Sequence, residues 1–325
     1  LMGNKYLIIN ADDFGRAKSV NESIFNLLKE NRISSATLMP NVNYYEQAVN
    51  WSIQNSDNIG LHLTFLNDDN KFKYRSLSRS KSIEDNEGYL LWNRDEFSKK
   101  LKHKELRLEI DMQFNKLKES GIKISHVDIH RYALYPTYNP IVYIYLCKKC
   151  KSEGGLPMRW ARNGFIDVGS GIASLCDTDN IAKFFAAISD LYGIPIPDYV
   201  FKFPYRSTFK TYDEKKRGFI NMLKKLPDGI SEVHIHPSLL SEEIKEVNPT
   251  WQERVFEYEM MFDDDIKNEI EKLNIKLITY KDINKINKNT SKVKAILDII
   301  FIGSKYSFKF LKSKILKGRN KVCQN

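Results

Sequence analysis

Cysteine is scarce in this 325-residue chain, which holds only Cys147, Cys150, Cys176 and Cys323. So few thiols over such a length exclude a disulfide framework and point to a reducing, cytoplasmic setting. No apolar run reaches the ~20 residues needed to cross a bilayer. No basic stretch leads into an apolar segment with a small-residue cleavage site, so no signal peptide is expected. Neither a sequence repeat nor a Gly/Ser linker divides the chain. Most of it also lacks net charge: of the formal +10, residues 288–325 carry +9, with nine lysines and one arginine against Asp298 alone. The other 287 residues carry +1, so nucleic acid is not an expected partner. Residues 1–287 read as one domain and 288–325 as a basic, partly amphipathic extension.

What is present is an alternation of short apolar strands and amphipathic helices. Tyr6-Leu7-Ile8-Ile9 opens as a buried strand, followed by a helix over Ser19–Asn31 with Val20, Ile24, Leu27 and Leu28 on one face. Further strands are predicted at 34–39, 58–65, 121–130, 156–160, 198–203, 229–237 and 275–280. Helices are predicted over 44–54, 95–120, 140–152, 181–192, 212–225 and 250–273. About seven or eight βα units suit an α/β fold with a parallel sheet closed, or nearly closed, into a TIM-like barrel. Two polar stretches, 66–94 and 163–196, interrupt the rhythm; the first, with Phe72, Tyr74, Tyr89 and Trp92, reads as a lid or substrate loop.

The polar residues sit at the ends of these strands. Asp12 and Asp13 follow the first one, and two adjacent carboxylates repel unless a cation or proton lies between them. An Asp-rich turn that caps the next helix is the simpler alternative. Five of the six histidines (His62, His126, His130, His234 and His236) lie near strand ends. Alternation puts His126, Asp128 and His130 on one strand face, and Glu232, His234 and His236 on another. Burying such groups unpaired costs several kcal/mol each, roughly. One carboxylate and two histidines with open positions suit a divalent metal and metal-assisted hydrolysis.

Asn10-Ala11-Asp12-Asp13-Phe14-Gly15, Gly60-Leu61-His62-Leu63, His126-Val127-Asp128-Ile129-His130 and Glu232-Val233-His234-Ile235-His236-Pro237 together resemble the YdjC-like (ChbG-type) carbohydrate deacetylases. The likeness covers roughly residues 4–283, and Met158-Arg159, Glu109 and Gln113 also match similar residues there. It implies a distorted TIM-like barrel of about seven strands. It implies Asp13, His62 and His130 as ligands of one divalent metal, magnesium or zinc. Asp12 then matches the general base and His236 the general acid of an N-deacetylase acting on acetylated amino sugars or small oligosaccharides. Arg159, Asp128 and Glu232 are expected to contact substrate or support the ligands. After His130, Arg131-Tyr132-Ala133-Leu134 replace the further histidines of the family, which alters the rim of the sugar site.

Rival readings remain a metal-dependent sugar isomerase or aldolase on the same barrel and a non-catalytic glycan-binding protein. A glycosidase is excluded, because its two acids must flank the scissile bond from opposite sides. Cys147-Lys148-Lys149-Cys150 is a lone pair without partner histidines and reads as two partly buried thiols. The extension, where lysines alternate with aromatic and aliphatic residues, invites contact with an anionic inner-membrane surface. Packing of its apolar part on the barrel is the preferred account. A homodimer is left open.

Overall fold

Parallel strands buried on both faces read as apolar runs and need helices outside them. The computed structural model describes residues 4–68, 72–134, 140–167, 178–203, 209–287 and 291–304. Its strands are β1 (Lys5–Phe14), β2 (Ser35–Leu38), β3 (Ile59–Leu63), β4 (Val127–Ile129), β5 (Gly164–Asp167), β6 (Tyr199–Lys202), β7 (Gly229–Ile235) and β8 (Ile275–Leu277). All pairings among them are parallel, in the order β4-β3-β2-β1-β7-β6-β5. β8 pairs with Lys5–Leu7 of β1, and β2 takes the same strand from Asn10 onward. At one end of the order β4 bridges the segment that leads into β5: Val127 N–H donates to Pro157 O and Arg159 N–H to Val127 O, both at 2.9 Å. The curled sheet, ringed by helices, is a distorted TIM-like barrel.

The expected strand at 156–160 is reduced to a single bridge at Met158, and β5 begins only at Gly164, inside the stretch read as irregular. Proline explains this. The neighbouring segment contains Pro195 and Pro197, which accept bonds from Met158 and Arg162 N–H (2.9 and 3.0 Å) but have no N–H to return. A two-way ladder becomes available only at Gly164, opposite Tyr199. Two long predicted helices are each split. The first becomes Arg94–Lys100 and His103–Glu119; the second becomes Trp251–Phe262 and Asp264–Lys272, the latter capped by the Asp263 side chain.

Alternation along β1 separates two environments. Leu7, Ile9 and Ala11 join the main core beneath the helices, whereas Ile8 packs with Ile230, Tyr280 and Ile283 in a small separate cluster. Asn10 and Asp12 follow Ile8 on the same face, so the interior turns polar toward the carboxyl ends of the strands. There Ser35 Oγ donates to Asn10 Oδ1 (2.6 Å), Asn10 Nδ2 to Thr37 Oγ1 (3.0 Å) and Thr37 Oγ1 to Asp128 Oδ2 (3.0 Å). Gly60 is required beside them: a Cβ would lie 2.6 Å from the His126 ring, which stacks on Tyr280 at 3.9 Å.

Buried Glu109 and Gln113 tie the first insert to β3. Gln113 holds both the N–H and the carbonyl of Thr64 (2.9 and 2.8 Å), and Glu109 accepts from Leu77 and Ser78 N–H (3.0 and 2.7 Å). Within the basic extension, residues 292–304 form a helix that buries Ala295 and Ile302 and leaves Val293, Leu297 and Ile300 exposed. The rest of the extension, with its lysine-aromatic alternation, lies outside the described residues. Among the described residues no helix is long and apolar enough to cross a membrane.

Candidate metal centre and active-site pocket

A regular strand would send the side chains of adjacent Asp12 and Asp13 to opposite faces. Here β1 bulges against β2 between Ala11 and Phe14, and Asp13 adopts φ 64°. That left-handed backbone costs an L-residue ~1–3 kcal/mol and is characteristic of functional sites. It aims both carboxylates at one mouth, a pocket of about 890 Å³ that also takes in His62, His130, Arg159 and His236.

Three ligand-type atoms converge there. Asp13 Oδ1 is 3.5 Å from His62 Nε2 and 3.2 Å from His130 Nδ1, and the two ring nitrogens are 3.3 Å apart. A cation bound ~2.1 Å from each of three ligands needs ligand-ligand separations of roughly 3.0 to 3.4 Å, so the triangle fits one. Asp13 Oδ1 is buried without a well-angled hydrogen bond, as an atom awaiting a ligand would be. The other nitrogen of each ring faces a carboxylate: His62 Nδ1 is 2.6 Å from Asp128 Oδ1, and His130 Nε2 is 3.1 Å from Asp68 Oδ1. Such carboxylates fix the tautomer and orientation of ligand histidines.

Charge makes the same point. Asp12, Asp13, Asp68, Asp128 and Glu232 are grouped with Arg16, Arg159 and Arg254, five acids against three arginines. With all of these ionised and the histidines neutral, the cluster carries −2. Without a cation, protons make up the difference. Burial opposes charge on His62, but Asp128 outweighs it and raises the imidazole to about 10. Burial likewise opposes charge on His130, and Asp68 outweighs it. Glu232 is pushed up to about 7 by burial despite Arg159. A dication would take the place of the two histidine protons, and the donor set fits one.

Beside the triangle stands a second assembly. Arg159 forks onto Asp12 with two 2.7 Å bonds, reaches Asp128 Oδ2 at 2.8 Å and donates Nε to Glu232 Oε1 at 2.7 Å. Burial opposes ionisation of Asp12, but Arg159 outweighs it and holds the carboxyl far below its ordinary range. His236 Nε2 lies 4.0 Å from Asp12 Oδ2, and the His236 backbone N–H donates to Glu257 Oε2 at 2.5 Å. Burial lowers His236, which favours neutral imidazole at rest.

Of the eight residues expected at the site from the sequence, Asp12, Asp13, His62, His130, Arg159 and His236 line one mouth, and Asp128 and Glu232 stand buried behind it against His62 and Arg159. Others were not anticipated: Asp68 against His130, Arg254 and Arg16 against Asp13, and Glu257 against His236. Asp68 sits in a polar loop where nothing distinguishes it from Asn67. Arg254 and Glu257 carried a signal, since helical spacing puts both on the face of buried Met261. Trp160 packs among Tyr143, Phe165 and Phe185, away from solvent. Cys147 and Cys150 are buried, and burial pushes the Cys147 thiol up to about 12, so neither belongs to the site.

The family model described as YdjC-like protein matches residues 6–272. A carbohydrate deacetylase of Thermoanaerobacter pseudethanolicus is 25% identical over 284 residues, covering 85% of this chain and 98% of the relative. One from Clostridium beijerinckii is 27% identical over 281 residues, covering 85% and 99%. A crystal structure from Enterococcus faecalis V583, provisionally named a cellobiose-phosphate cleavage protein, superposes with a TM-score of 0.67 over 86% of this chain and 98% of that one. At 23% identity that likeness shows the fold alone.

Proposed function

The chain belongs to the YdjC-like family, and on that premise we propose that it is a metal-dependent carbohydrate deacetylase, removing the acetyl group from an N-acetylated amino sugar or small oligosaccharide. The observation that carries the reading is the Asp13–His62–His130 triangle with Asp12 and His236 beside it. Asp13, His62 and His130 would hold one divalent cation, magnesium or zinc. Such a cation, when bound, supplies charge that polarises an amide carbonyl and acidifies a water.

The remaining chemistry falls to side chains. Asp12 accepts the proton of the attacking water. Held anionic by Arg159, it is always available but only weakly basic, so the proton passes on. His236, 4.0 Å away and neutral at rest, takes it and delivers it to the sugar nitrogen. Amide nitrogen leaves poorly without that proton. Water and amide become acetate and a free amine. Arg159 positions Asp12, while Asp128 and Asp68 orient the two histidines.

The test is acetate release from N-acetylglucosamine oligomers, with and without divalent metal after chelation. Metal-restored release is expected, and D12N should keep its metal yet lose turnover by roughly 10²–10⁴-fold. No release from any N-acetylated amino sugar would overturn the reading and favour the isomerase, aldolase or glycan-binding alternatives. For residues 288–325, packing of the apolar part on the barrel stays the preferred account, in keeping with buried Ala295 and Ile302, and contact with an anionic membrane surface is the alternative proposal, supported by the exposed Val293, Leu297 and Ile300 and the lysines that follow.

A further inference from the structure

At about 890 Å³, the pocket is at the upper end of the ~300–1,000 Å³ range of small-molecule sites. An acetamido group and its attacking water need only the floor, where Asp12, Asp13 and His236 lie. At the rim stands Trp92, which is 49% exposed although it lines the pocket. An aromatic surface left open at a pocket mouth is suited to covering a ligand, with an apolar face and a polar edge.

The backbone beneath it is held firmly. Leu91 on one side is buried, with its carbonyl accepting from Asn67 N–H at 2.9 Å. Asn93 on the other caps the next helix through Asp95 and Glu96 N–H at 2.9 and 3.0 Å. Arg131 Nη1 donates to the Trp92 carbonyl at 3.0 Å and also to the Asn67 carbonyl. Arg131 and Tyr132 both take positive φ, turning the chain across the mouth directly after His130. Arg131 therefore builds part of the support for this rim.

We propose that Trp92 is a stacking platform for a second sugar ring, next to the one that loses its acetyl group. An aromatic face packs against the C–H face of a pyranose, whose equatorial hydroxyls remain free for polar partners at the edge. Trp92 thereby sets a preference for oligosaccharide over monosaccharide. The inference rests on the deacetylase reading and extends it to a subsite.

The experiment compares wild type, W92F and W92A on N-acetylglucosamine and on its β-1,4-linked disaccharide. W92A should lower kcat/KM for the disaccharide about five- to tenfold, mainly through KM, and change the monosaccharide less than about twofold. W92F should recover most of the loss. Indole fluorescence, titrated with the disaccharide in chelated protein, gives a readout without turnover: wild type should show a saturable change that W92F lacks. Equal loss on both sugars, or none on either, overturns the subsite. Trp92-dependent fluorescence binding with no acetate release from any sugar would uphold the subsite and overturn the deacetylase reading. Acetate release with no Trp92-dependent signal would do the reverse.

Discussion

Replacing Arg159 by methionine keeps the length of the side chain and removes its charge. The Arg159 side chain is 3% exposed, and its guanidinium is bonded to Asp12, Asp128 and Glu232 at 2.7–2.8 Å. Breaking a buried ion pair by removing one partner costs about 3–5 kcal/mol, because the survivor stays buried and unpaired. Three carboxylates lose their partner here, so the upper part of that range is expected at neutral pH. Protonation relieves part of it. Without Arg159 the folded-state Asp12 and Glu232 carboxyls titrate higher than in the unfolded chain, so at neutral pH the unfolded state gains by ionising them, and that gain fades on acidification. The deficit should therefore shrink as pH falls from about 7 to about 5. Urea unfolding of wild type, R159M and R159K at both pH values measures this; R159K, with charge but no fork, should fall between the other two. A cost for R159M below about 1 kcal/mol at neutral pH, or one that grows on acidification, would refute the assignment of Arg159 as the electrostatic hub.

Three further outcomes are expected. The folded-state pKa of His62 is raised to about 10, from an ordinary 6.5, so its contribution to stability is fully present below about 6.5 and lost as pH rises toward 10. Chelated protein should thus melt at progressively lower temperature over that window, and H62Q should flatten the trend; a rising wild-type melting temperature would contradict it. E109A leaves Leu77 and Ser78 N–H and the Gln113 amide without their acceptor, costing about 2–4 kcal/mol. Hydrogen exchange should quicken at Leu77 and Ser78 in particular, whereas unchanged protection there would mean the insert is anchored elsewhere. The full chain should sediment with anionic vesicles at low salt, less so at high salt, and the L297D/I300D variant should lose the interaction; equal sedimentation of both proteins removes the membrane proposal.

Much of this site was legible because its residues contradict their surroundings. His62, Asp128 and Glu232 are polar positions within otherwise apolar buried strands, His130 directly follows one, and alternation assigns the faces within each strand. The paired aspartates needed one more fact. Only the bulge and the positive φ at Asp13 bring both side chains to the same mouth, and neither has a local sequence signature. Partners drawn from distant elements were harder still. Arg254 meets Asp13 across 241 residues, through a helix whose apolar face gave only a weak hint of a buried charge. The misplaced fifth strand has a similar origin: Leu156–Trp160 has strand composition, but the prolines that limit its pairing lie at 195 and 197.

On the proposal made above, Asp13, His62 and His130 grip one dication in place of two protons. Calorimetric titration of chelated protein with zinc and with magnesium near neutral pH, repeated in buffers of different ionisation enthalpy, tests it most directly. Binding of one ion to the wild type, with release of about two protons, is the predicted result, together with loss of the site in D13A, H62A and H130A. Stoichiometric binding that survives those substitutions, or that releases no protons, would contradict it.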